Sequence, residues 1–234
     1  MRAHLLPKSM CEEVKVGKSF VTGLVEGRTD FPSPVQTGTF DPNILCIRCD
    51  GVLGEWENEA IKTFRAIRER AIGMVDGAHG TVDGDSSSIL RFCAGLLYKY
   101  SLTTAQFGRI ELGPYQEPLR QVVFESTEIP PLLNVALFRL RLHRDDGSVF
   151  AYRAPVNDRD KITGANMFRV LAGGVFLFIR VDKRPMIPSP LSPLWLRGRR
   201  DIIFNAAPAQ AFEEYRIPGR ILAGSEKLRA ILPD

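Results

Sequence analysis

The 234-residue chain predicts an α+β fold: an N-terminal finger-like segment and helices packed with a mainly antiparallel β-sheet. Three observations predict it. Apolar residues recur at helical spacing between Glu55 and Ile72. A second, strongly apolar helix follows a run of three serines. Beyond residue 131, apolar runs of strand length are separated by turn signals such as Asp145-Asp146-Gly147 and Gly173-Gly174. With 44% hydrophobic residues the chain can bury a sizeable core. The patterning divides it into a segment 1–73 and an α+β domain 74–234, the latter with helices over 86–124 and an antiparallel sheet over 131–204.

Residues 1–43 are rich in glycine, proline and polar side chains and read as extended segments and loops that need an external anchor. Between Glu55 and Ile72 the positions Ala60, Ile61, Phe64, Ile67 and Ala71 form one apolar face, with Glu59, Lys62, Arg65 and Glu69 elsewhere. Gly54 precedes this helix, and Glu55 and Glu57 in its first turn complement the helix dipole. Asp76 to Asp85 reads as an acidic, solvated connection, and Ser86-Ser87-Ser88 offers an N-cap for a helix over Ile89–Tyr100. Tyr115–Phe124 is a third, shorter helix. Strands are expected over Leu132–His143, Val149–Ala154, Met167–Ala172 and Val175–Val181, the last two joined by the glycine pair. Four prolines between Pro185 and Pro193 stiffen a segment leading to Trp195, and Ala209–Tyr215 is a last short helix.

Composition narrows the function classes. A net charge of +4 does not by itself announce a nucleic-acid partner, although local clustering can. The N-terminus lacks a secretory apolar region, and the longest apolar stretch, Val170–Ile179, is far short of the ~20 residues a spanning helix needs. Four cysteines are too few for a disulfide scaffold of this length, so the expected compartment is the reducing cytoplasm, with no membrane partner.

Cys46 and Cys49 have the two-residue gap that lets two thiolates grip one zinc, or they are two thiols at a strand end. A thioredoxin-type redox role is disfavoured because no βαβ pattern surrounds them. His4 is a general base or a surface residue, and Pro7 ends its strand. Val16-Gly17-Lys18-Ser19 is not a phosphate-binding loop, since Glu12 stands where that motif needs glycine. Arg180, Lys183, Arg184, Arg197, Arg199 and Arg200 make the densest positive region, around Trp195. They form either a phosphate-neutralising clamp or a solvated rim around a buried indole.

His4-Leu5-Leu6-Pro7-Lys8, then Leu45-Cys46-x-x-Cys49-Asp50 with Glu57, then Leu90-Arg91-Phe92 to Ser101, Phe107-x-x-Ile110-x-Leu112-Gly113-Pro114-Tyr115 and Leu119-Arg120 stand in that order. Together they resemble a little-characterised bacterial family related to the HNH endonucleases, which are zinc-buttressed His-metal fingers. The likeness covers residues 2–120. It implies a nuclease hydrolysing DNA phosphodiester bonds, in bacterial or phage defence, with His4 as catalytic base. Cys46 and Cys49 would be the second zinc knuckle, Asp50 would be the acidic residue that follows it, and Asp50 with Glu57 or Asn58 would be ligands to Mg2+ or Mn2+. Two of the family's features have no counterpart: a first C-x-x-C before the histidine, and the closing histidine of the HNH triplet. The alternative is a non-catalytic interaction or regulatory protein on a degenerate finger, working with a protein partner or as a homo-oligomer.

Overall fold

In the computed structural model residues 3–13, 21–22, 34–35, 39–125, 127–141 and 153–216 are described. Their strands are β1 (Ala3–His4), β2 (Val21–Thr22), β3 (Pro34–Val35), β4 (Phe40–Asp41), β5 (His79–Val82), β6 (Leu133–Arg141), β7 (Arg153–Arg159), β8 (Asn166–Ala172), β9 (Val175–Val181) and β10 (Ile202–Pro208). The longer helices are α1 (Lys8–Glu13), α2 (Ile47–Arg70), α3 (Ser86–Leu102) and α4 (Gln116–Phe124). The class is α+β, and the sheet is mostly antiparallel.

Six strands pair in the order β5-β10-β6-β9-β8-β7. All neighbours are antiparallel except β10 and β6, which run parallel. The parallel pair follows from connectivity. Because β9 occupies one side of β6, the chain must cross the sheet to place β10 on the other, and the proline-rich segment makes that crossing. Leu194 and Trp195 lie buried along it, and the Leu196 N–H donates to the Val135 carbonyl at 3.1 Å.

Period-two alternation gives both faces of the sheet a core. Leu133, Val135 and Leu137 of β6, with Val175, Leu177 and Ile179 of β9, join the large apolar cluster built with α2, α3 and α4. Ala136, Phe138 and Leu140, with Phe176, face the other way and pack with Trp195, Ala209 and Phe212. The large cluster is continuous from Leu5 and Met10 through Phe64 and Phe92 to Phe204. Phe64 and Phe92 meet edge to face with centroids 5.7 Å apart, joining α2 to α3. Each such fully buried side chain contributes about 1.5–3 kcal/mol by removal from water.

Several elements differ from the sequence reading. Helix α2 begins at Ile47, so Gly51 and Gly54 lie inside it, and the apolar contacts of its later turns outweigh their propensity cost. Helix α3 is capped by Asp85, whose carboxylate accepts the Ser87 and Ser88 amides at 3.0 Å, and the serines form its first turn. Within the expected acidic connection lies β5, an edge strand on β10. There a Cβ on Gly80 would stand 2.5 Å from the buried Phe204 ring, so the glycine permits close pairing. Strand β7 runs through Pro155, tolerated because β7 is an edge strand whose register shifts between Arg153 and Val156. Pro7 leads into α1, its carbonyl accepting the Cys11 amide at 3.2 Å, where the sequence suggested only extended segments and loops. The expected strand residues 142–143 and 149–152 lie outside the described residues. Among the described residues, no helix is long and apolar enough to cross a membrane.

Candidate active site around His4 and the paired cysteines

His4 reaches its place because β1 is pinned on both sides. Its register sets Ala3 opposite Asp41 and His4 opposite Phe40, and Leu5 donates to the Thr39 carbonyl at 2.9 Å. Asp41, almost fully buried, is fixed by the Thr103 hydroxyl at 2.8 Å. From α3, Lys99 extends an ammonium into the interior, donating to the His4 carbonyl at 2.8 Å and to Glu57 Oε1 of α2 at 2.5 Å. The Lys99 side chain is only 2% exposed, and that of Glu57 is 20% exposed. One buried cation thus ties β1, α2 and α3 together. Glu13 of α1 adds a second clamp, pairing with Arg68 at 2.6 Å and Arg65 at 2.5 Å, both on α2.

The His4 imidazole is half-buried. Burial and then the Lys99 charge lower its pKa from the ordinary value, while the Asp50 and Glu57 carboxylates partly oppose them. The predicted base and the two predicted oxygen ligands therefore act on one another electrostatically, although β1 and α2 are far apart in sequence. Nε2 is sealed from solvent and unpartnered. That leaves Nδ1 as the ring nitrogen able to meet water. Lys99 is the functional neighbour that the sequence reading missed. Its only signal was a lysine in the last turns of a largely apolar helix.

A hard cation such as Mg2+ commonly takes one or two protein carboxylates and completes its shell with water and phosphate oxygens. Asp50 and Glu57 match that donor chemistry, and both act electrostatically on the His4 imidazole, whose Nε2 is unpartnered. Among the described residues, no group of three or more His, Cys, Asp or Glu side chains converges as a protein cage. A structural zinc needs four donors. Cys46 and Cys49 supply two, whereas Cys11 and Cys93 are both buried in the apolar cluster, so the four thiols do not assemble into a zinc site.

The cysteine pair sits in the first turn of α2. Cys46 is the N-cap, and its sulfur accepts the Cys49 amide at 3.4 Å. That amide hydrogen bond lowers the Cys46 thiol pKa below its ordinary value, whereas the hydrogen bond to Cys46 raises that of Cys49.

The basic residues divide by burial. Arg180 is buried, donating to the Asp182 carbonyl at 2.9 Å and to that of Arg184. Arg184 grips the Asp182 carboxylate at 2.6 Å. Arg199 donates to the carbonyls of Trp195 and Pro193 at 2.8 and 2.7 Å. Lys183, Arg197 and Arg200 are exposed, Lys183 lying 6.0 Å over the Tyr115 ring and Arg197 donating to the Ile129 carbonyl at 3.3 Å. Trp195 is buried in the second apolar cluster, so its indole is not presented to a base. An open groove of about 670 Å³, lined by Leu112, Tyr115, Asn157 and Phe168 among others, includes none of the predicted site residues. In comparisons with known proteins, no family model, curated protein or solved structure matches the chain.

Proposed function

We propose that the chain is a metal-dependent phosphodiesterase acting on DNA in the manner of an HNH-like finger, in the cytoplasm, with His4 as general base. The observation that carries this reading is the half-buried His4 imidazole on β1, its Nε2 unpartnered and its basicity lowered by burial, with Asp50 and Glu57 of α2 acting on it electrostatically. A lowered pKa keeps the imidazole neutral at pH 7, the form in which Nδ1 can take a proton from an attacking water. Lys99, bonded to the His4 carbonyl, fixes the strand that carries the ring. Mg2+ or Mn2+, when bound at Asp50 and Glu57, would stabilise charge on the phosphate oxygens. Lys183, Arg197 and Arg200, all exposed, would supply the positive charge for a DNA backbone.

A second reading is favoured by the Lys99–Glu57 pair, because a buried ammonium already neutralises the carboxylate that a metal would use. On that reading the finger is a scaffold, and the protein regulates a partner chain or a second copy of itself.

The two readings separate in a supercoiled-plasmid nicking assay with Mg2+ or Mn2+. The nuclease reading expects wild-type cleavage and a loss of about a hundredfold or more in His4→Ala, with the melting temperature nearly unchanged. No wild-type cleavage with either ion establishes the scaffold. Equal cleavage by His4→Ala moves any nuclease site away from β1.

A further inference from the structure

We propose that Cys46 and Cys49 form a reversible dithiol–disulfide centre, in which Cys46 attacks a disulfide-bearing partner and Cys49 resolves the mixed disulfide. This goes beyond the phosphodiesterase reading and does not depend on it.

The placement of the pair carries the inference. Cys46 is exposed and Cys49 half-buried, and the Cys46 sulfur accepts the Cys49 backbone amide at 3.4 Å, which holds the two residues together at the helix start. Residues three apart at a helix start have Cα atoms about 5 Å apart by helix geometry. That lies within the Cα span a disulfide accepts. Cys11 and Cys93, the remaining cysteines, are sealed in the core and cannot compete for an external disulfide or complete a four-thiolate metal site. The sequence offered no βαβ unit to suggest redox work. The relevant context is the N-terminus of a 24-residue helix, where an exposed cap sulfur receives a backbone N–H.

The chemistry balances with a disulfide as oxidant. Cys46 sulfur, its proton passing to water, attacks one sulfur of the oxidant and expels the other as a thiolate. Cys49 then attacks Cys46 in the mixed disulfide, forming the Cys46–Cys49 bond and releasing the second thiolate. Two thiols lose two electrons and two protons, and one external disulfide becomes two thiols.

The test equilibrates the full chain, freed of metal by chelator, in glutathione buffers from fully reduced to fully oxidised, with trapping and peptide mass mapping. The expected product is two hydrogens lighter, with the bond confined to Cys46 and Cys49, and returns to dithiol when reduced glutathione is restored. Cys49→Ser should stop at a stable glutathione adduct on Cys46. Cys46→Ser, in which serine remains an effective N-cap, should react at least about tenfold more slowly. The proposal falls if both thiols stay free in oxidised glutathione while circular dichroism shows a folded protein. It falls equally if the glutathione adduct of Cys49→Ser forms elsewhere. Zinc retained after purification that shields both thiols from a thiol reagent would make the pair a metal site instead.

Discussion

Replacing Glu57 with alanine should destabilise the protein more than replacing Lys99 with methionine, although both changes break the same ion pair. The asymmetry comes from exposure: the Lys99 side chain is 2% exposed, that of Glu57 20%. Without Glu57 the ammonium stays sealed, with the neutral His4 carbonyl as its acceptor at 2.8 Å. An uncompensated buried charge of this kind costs about 3–5 kcal/mol. In Lys99→Met the chain length is kept and the charge removed. The Glu57 carboxylate can then turn toward water, and the loss is chiefly the hydrogen bond to His4, about 1–2 kcal/mol. For a chain of this size each kcal/mol moves the melting temperature by about 2–4 °C, so Glu57→Ala should melt at least about 6 °C below wild type and Lys99→Met only a few degrees below. Urea denaturation and calorimetry on the two variants and their double mutant are the measurement. The double mutant should recover part of the Glu57→Ala loss, since no charge is left buried. Equal losses, a larger loss in Lys99→Met, or two variants indistinguishable from wild type would refute the reasoning.

Three further outcomes are expected. Asp182 accepts hydrogen bonds from the Arg184 guanidinium and from the Asn166 and Arg184 amides, and the first of these chiefly holds its carboxyl well below the usual range. Its contribution is therefore complete above the unfolded pKa of about 4 and is lost as pH falls further. Asp182→Asn should cost about 2 kcal/mol at pH 7 in urea denaturation, with the gap to wild type narrowing below about pH 4, and a gap independent of pH would contradict this. Gly80→Ala should cost about 1–3 kcal/mol by driving a methyl into the Phe204 ring, and thermal melting at wild-type stability would show that β5 can shift away. If DNA is the substrate, the double change Arg197→Ala and Arg200→Ala should flatten the slope of log affinity against log salt by about two, measured by fluorescence anisotropy; an unchanged slope would place the DNA elsewhere.

Where one periodicity dominated, the fold was legible in the sequence. The later turns of α2, the apolar α3 and the β8–β9 hairpin follow directly from spacing and from the glycine pair. The first two turns of α2 were hidden because Gly51 and Gly54 argue locally for a break, and only burial of Leu53, Ala60 and Phe64 overrides them. Strand β5 was hidden because its four residues, His79–Val82, carry no alternation strong enough to stand out from the glycines and aspartates around them. The position of β10 beside β6 is a matter of long-range pairing, to which no local pattern speaks. Among the candidate residues, His4, Asp50 and Glu57 are singled out through the resemblance to the HNH family, and their electrostatic influence on one another depends on β1 lying near α2 and α3. The basic cluster shows the reverse problem. Residues close in sequence were counted as one surface, while Arg180 and Arg199 direct their guanidinium groups to backbone carbonyls of the crossing segment.

The buried ammonium of Lys99 sets what any function at His4 can be. It adds to burial in lowering the basicity of the imidazole, holds the carbonyl of the same residue and neutralises Glu57, so one group acts on the base, the strand and the acid together. Loss of activity in a Lys99 or Glu57 variant would thus mix misplacement of β1 with altered charge. His4 itself lacks that ambiguity, because the hydrogen bond from Lys99 goes to its backbone carbonyl, which survives any side-chain substitution. A change confined to the imidazole therefore tests the chemistry while leaving the clamp in place, and changes at Glu57 or Lys99 test the clamp. Agreement between the two sets would mean that the polar node serves architecture alone; divergence would assign chemistry to the ring.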